Sequence, residues 1–179
     1  MADFEIITEG TLGATASSIT FSAIPQTYKH LELQLSLRST NFSATTSSGY
    51  LYFNTNTGAN IYGRNVAYVA GSSANGAAIN TQMGYLNKVN NALRINDDAQ
   101  NTGSHGTNKL LICDYASTVK TQKDVFFQQV AGSAWSSSAT WASFGGGGYT
   151  SGAAGISTIT FVGDYSFKTG CTYWLAGWK

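Results

Sequence analysis

The chain has 179 residues with ten basic and nine acidic side chains, a net charge of +1, and a length that suits one domain around one core. Only 11% of its residues are charged, against about 25% in an average domain, and no Lys/Arg run offers the electrostatic footprint that nucleic acid requires. No apolar stretch is long enough to span a bilayer. Met1-Ala2-Asp3-Phe4-Glu5 lacks the basic start and apolar run of a secretory signal, so synthesis and retention in the cytoplasm are expected.

Small polar residues with turn preference and β-branched Thr, Val and Ile replace the long charged side chains that cover helices, which favours strands joined by turns. The first strand signal is Phe4-Glu5-Ile6-Ile7-Thr8, followed after a Gly/Ala/Ser turn by Ser18-Ile19-Thr20-Phe21. The clearest is 30–38, where Leu31, Leu33, Leu35 and Leu37 alternate with polar residues. Period-two burial of this kind gives a strand with one buried face, whereas a helix would scatter the four leucines. Tyr50-Leu51-Tyr52-Phe53 runs into the turn-rich 54–58 stretch. Ile79, Met83, Leu86 and Leu93 fall near one helical face, but Gly84 and Asn87, Asn90 and Asn91 interrupt it, so a short helical turn or an irregular loop is expected there.

Leu93-Arg94-Ile95, 109–115 and 124–130 continue the strand pattern, as do 140–144, 156–161 and 173–175. The total of eight to ten strands with turn residues between them has the spacing of a sandwich or barrel. Loop-rich segments are expected around 71–108 and 132–152, with Gly145-Gly146-Gly147-Gly148 read as a flexible turn. Gly71–Gly76 and Gly145–Gly148, the two most flexible points expected, are too short to be interdomain linkers, so 1–179 is expected to form a single domain. Ser18-Ile19-Thr20-Phe21 leads to the leucine strand ten residues on, and Thr158-Ile159-Thr160-Phe161 leads to Cys171–Leu175 at the same offset. A pseudo-symmetric pair of strand–loop–strand units would bring the two ends of the chain together.

The sequence holds little that could do chemistry. His30 and His105 are too few for a His-based metal cluster, and Cys113 and Cys171 have neither Cys-x-x-Cys nor disulfide-framework spacing. Both cysteines are expected to be buried free thiols, and His105 a solvated loop residue without an orienting carboxylate. Asp97-Asp98, the only acidic pair, lacks the alternating ligands of a calcium loop and reads as a polar turn. The glycine run has no Lys-Ser/Thr after it and is no phosphate loop. No catalytic residue, metal or cofactor is therefore expected. Asn41-Phe42-Ser43 is a glycosylation sequon that carries little weight without an export signal.

Aromatic content, at 13%, is the remaining resource. Trp135, Trp141 and Tyr149 cluster in the Ser/Gly-rich 132–152 region. They are candidate contacts for a partner protein or a sugar, or else core residues beside a strand.

Several runs resemble a known group. Ala16-Ser17-Ser18-Ile19-Thr20-Phe21-Ser22-Ala23-Ile24-Pro25-Gln26-Thr27-Tyr28, followed by the leucine strand ending at Arg38, is similar to the N-terminal signature of small tailed-bacteriophage virion proteins. The group's closing pattern is matched by Ile159-Thr160-Phe161, Phe167-Lys168-Thr169-Gly170-Cys171 and Trp174-Leu175-Ala176-Gly177. Cys171 stands where Ser is usual, and the terminal Leu-Tyr-Gly is altered. The resemblance covers the two ends and not the middle. It implies a β-sandwich of jelly-roll type and a non-enzymatic capsid decoration or cement protein on the outer shell. A homotrimer bound to the major capsid protein is implied with it. The alternative it leaves is a tail or fibre component with a carbohydrate-binding sandwich and a glycan ligand.

Overall fold

A computed structural model describes residues 3–42, 46–54, 61–70, 77–85, 93–97, 104–131, 140–150 and 154–179, with backbone alone at 46, 61–70, 77–85, 140 and 141. The described residues contain twelve strands and no helix: β1 (Phe4–Thr11), β2 (Ala16–Phe21), β3 (His30–Leu37), β4 (Thr46–Phe53), β5 (Ile61–Ala70), β6 (Ala77–Tyr85), β7 (Leu93–Asn96), β8 (Gly106–Cys113), β9 (Lys123–Ala131), β10 (Thr140–Tyr149), β11 (Ile159–Phe167) and β12 (Thr172–Trp178). They form an eight-stranded sheet in the order β1-β12-β3-β8-β9-β10-β5-β6 and a four-stranded sheet in the order β2-β11-β4-β7. Every pairing within the sheets is antiparallel.

The leucines of β3 face the smaller sheet as their alternation requires. Leu31, Leu33, Leu35 and Leu37 are all fully buried, and from the opposite layer Ile19, Phe21, Leu51, Phe53, Ile95 and Phe161 meet them in one core. The echo between the chain ends becomes a pairing. Ile19, Thr20 and Phe21 of β2 lie opposite Phe161, Thr160 and Ile159 of β11, while β3 pairs with β12 in the other sheet. The isoleucines and phenylalanines turn inward together, and the two outward threonines meet at 3.2 Å between hydroxyl oxygens. Identical three-residue patterns thus satisfy both layers at once.

Two expectations are corrected by the strand count. Ile79 and Met83 lie on a strand, since β6 pairs with β5 throughout Ala77–Tyr85; Leu86 and the asparagines after it lie outside the described residues. Gly145–Gly148 is no turn but the middle of β10, in register with β9 on one side and β5 on the other. The empty side-chain positions are filled by neighbours. A Cβ on Gly146 would lie 3.1 Å from the Phe126 ring, and one on Gly148 would lie 2.7 Å from Gln122, so the glycines admit side chains laid across the strand.

The end of β4 is held by one side chain. Asn54 has a positive φ of 50°, a conformation Asn tolerates better than most residues. Its Oδ1 accepts hydrogen bonds from the Ser157 and Thr158 amides at 2.8 and 3.2 Å, and its Nδ2 donates to the Gly155 carbonyl at 2.8 Å. Asn54→Ala removes all three and loses asparagine's tolerance of left-handed backbone, with an expected loss of about 2–3 kcal/mol. Asn54→Gly relieves the backbone but not the lost bonds, so chemical denaturation of the pair separates the two contributions.

Candidate interaction surface

Sheet geometry sends alternate residues of a strand to opposite faces, and in a two-layer fold the outer face is ordinarily polar. The larger sheet breaks that rule. On β9, Val125, Phe127, Gln129 and Ala131 are buried, while Asp124, Phe126, Gln128 and Val130 point out. Phe126 is 53% exposed and Val130 54% exposed. Phe144 of β10, registered opposite Gln128, is 62% exposed. With Lys109, Leu111 and Gln128, the two phenylalanines line a shallow open groove.

The opposite end of the same face carries a second aromatic group. Phe4 of β1 packs edge-on against Trp174 and Trp178 of β12, with ring centroids 5.9 and 4.9 Å apart, and Ile6 is exposed beside it. Between the two groups runs a polar stripe on β3 and β8, where Lys109 Nζ lies 2.7 Å from Glu32 Oε1. Five of the eight large hydrophobic residues that are exposed among the described residues project from this one face. Scattered apolar residues need no explanation, but their concentration on one face makes that face the candidate contact surface.

The aromatic residues singled out from sequence fare differently. Tyr149 is 2% exposed and packs edge-on against Phe53 at 5.0 Å, so its expected contact role gives way to a place in the core. The reason is register: β10 points Tyr149 to the inner face, opposite Lys123 of β9. Trp141 is placed on β10 opposite Ala131 and Val69, with its side chain outside the described part, and Trp135 lies outside the described residues. Phe126 and Phe144 were missed. The available signal was Phe126-Phe127 itself, because adjacent residues of a strand cannot both face one core.

Other candidate chemistry is structural. Among the described residues no three His, Cys, Asp or Glu side chains gather where a metal could be held. Cys171 is buried and Cys113 half-buried, both as free thiols. His105 is half-buried just ahead of β8, not solvated as expected. Asp97 is no solvated turn residue either, since it is fully buried. Its carboxylate accepts hydrogen bonds from the Ser39 and Ser47 hydroxyls and from Asn41 Nδ2 at 3.2 Å. Burial pushes its pKa up, and the three donors and the Arg94 charge oppose that rise. The cluster joins the segment after β3 to β4 and to the end of β7, near the bridge between Arg38 and Asn96. With every carboxylate oxygen engaged, it is a clamp.

No helix among the described residues is long and apolar enough to cross a membrane. Comparison with protein-family descriptions, with curated proteins and with solved structures finds no match to this chain.

Proposed function

We propose that this protein is a non-enzymatic bacteriophage virion component, a decoration or cement protein that bridges and stabilises neighbouring capsid subunits. It is made in the host cytoplasm and acts at the capsid surface, as an oligomer for which the sequence resemblance implies a trimer. Its partner is the major capsid protein. The observation that carries the reading is the strand pairing. β1 with β12, β2 with β11, β3 with β8 and β4 with β7 form four nested antiparallel pairs. Distributed alternately over two layers, they give β1-β12-β3-β8 in one and β2-β11-β4-β7 in the other. That order supports a jelly roll, the double Greek key used by viral capsid and lectin domains. The β5–β6 and β9–β10 hairpins are then insertions that widen one layer. The β2–β11 and β3–β12 pairs are built from the very runs that resemble virion proteins.

The apolar outer face and the low charge density support adhesion in place of catalysis. The test is co-sedimentation with capsid shells assembled without this chain. Saturable binding with a gain in shell heat resistance is the expected result, and absence of binding at saturating protein contradicts the proposal. A second reading, a tail or fibre module that binds glycans, is favoured by the groove between Phe126 and Phe144, where apolar rings meet the polar Lys109 and Gln128. Titration with host-surface polysaccharide gives binding heat under that reading and none under the first.

A further inference from the structure

We infer that the outer face of the eight-stranded sheet is a two-fold interface with a second copy of this chain, the two larger sheets stacked back to back. The inference deepens the self-association in the proposal above and does not depend on its virion part.

Three observations converge on a second copy. The first is the arrangement of the face. The six strands β1-β12-β3-β8-β9-β10 have their centre between β3 and β8. A two-fold axis running along the strands there sets β12 over β9 of the other copy and β1 over β10. By register, Phe126 then lies between the levels of Trp174 and Trp178 with Val130 beyond Trp174, Phe4 and Ile6 lie over Gly148 and Gly146 of β10, and Phe144 lies at the level of Glu9. The same operation covers the reciprocal set, so both aromatic groups are buried by a single contact.

The second observation is charge. Glu32 of β3 and Lys109 of β8 flank that centre as an ion pair. The axis exchanges the positions of β3 and β8, so each lysine lies over Gln34 and each glutamate over Leu111 of the other copy, and two charges of each sign balance at the centre. A second copy supplies this balance by construction. The net charge of +1 leaves little long-range repulsion between copies.

The third is size. Six strands spaced about 4.8 Å apart and eight residues long at about 3.3 Å each present a face of roughly 800 Å². A stable specific interface needs about 800 Å² from each partner. Stacked sheets of this kind are an ordinary way to bury two apolar faces. The contact is two-fold and therefore separate from any three-fold contact that makes a trimer.

Sedimentation velocity of the full chain, with Phe144→Lys, the double variant Phe126→Ser/Phe144→Ser, Lys109→Glu and Lys109→Glu/Glu32→Lys, tests the inference. The wild type is expected as two chains, or six where a three-fold contact is also made. Each substitution occurs twice in such an interface, so Phe144→Lys is expected to weaken association about tenfold or more, and the double serine variant to halve the mass. Lys109→Glu weakens association by gathering four negative charges at the centre, and adding Glu32→Lys restores it, because two charges of each sign are again present there. Phe144 and Lys109 are exposed, so folding is expected to be intact, as checked by far-ultraviolet dichroism. A monomeric wild type, an odd number of chains that the serine variant leaves unchanged, or no recovery in the charge-exchanged variant overturns the interface. Capsid binding by a monomeric wild type would overturn it while leaving the virion proposal standing.

Discussion

Asp97→Ala is expected to cost about 3 kcal/mol of folding stability, because it leaves the Ser39 and Ser47 hydroxyls and the Asn41 amide buried without their shared acceptor. In a chain of this size that corresponds to a fall in Tm of roughly 6–12 °C. Asp97→Asn separates charge from geometry. One amide oxygen still accepts from the serines, while the new amide nitrogen faces Asn41, so a smaller loss is expected.

The pH dependence has a definite sign. Burial raises the Asp97 pKa in the folded protein above its ordinary value near 4 in the unfolded chain, which is about 3.9. Between those two values the folded state holds more proton than the unfolded state, so this group's contribution falls as pH rises. Its stabilising effect is complete below the unfolded pKa and is lost as pH climbs through the folded pKa. Asp97→Asn should therefore gain on the wild type as pH rises from 4 to 7, as measured by urea unfolding at fixed ionic strength. A difference between the two that stays constant with pH contradicts the assignment.

Gly49→Ala is the second large effect expected. Gly49 of β4 sits beneath the Phe161 ring, and an added β-carbon would lie 2.3 Å from Cζ and 2.7 Å from Cε1, with the Ile95 Cδ1 atom at 3.0 Å. The ring has nowhere to go. Phe161 is fully buried and stacked on Phe167 at 5.8 Å, and Ile95 is fully buried as well. A single methyl group is then overpacking, with an expected cost of about 1–3 kcal/mol. Phe161→Leu on the Gly49→Ala background makes room and is expected to return part of the loss, whereas Phe161→Leu alone destabilises. A double-mutant cycle measured by denaturation reads that coupling directly.

The fold was legible where side chains alternate and opaque where they do not. Leu31 to Leu37 declared both the strand and its buried face, and the repeated Ile-Thr-Phe at 19–21 and 159–161 signalled that the chain ends belong together. It did not say that the two copies pair with each other. Gly145–Gly148 cannot alternate, because glycine has no side chain; β9 and β5 impose the strand by hydrogen bonding from both sides. Ile79 and Met83 stand four residues apart, a spacing shared by a helix face and one face of a strand, so local pattern could not separate them.

The candidate surface was legible only in part. Aromatic richness was visible, but which aromatics point outward depends on register, and register belongs to the sheet. Tyr149 went inward for that reason and Phe144 outward. Asp97 looked like half of a solvated acidic turn because Ser39, Asn41 and Ser47, which bury it, lie some fifty residues earlier in the chain.

The proposed virion role requires assembly into a particle. Quantitative mass spectrometry of purified virions, set against the lysate from which they were prepared, is the direct measurement. The predicted result is that this chain stays with the particle through purification, in a fixed ratio to the major capsid protein. Abundant chain in the lysate with none retained by the particles would contradict it.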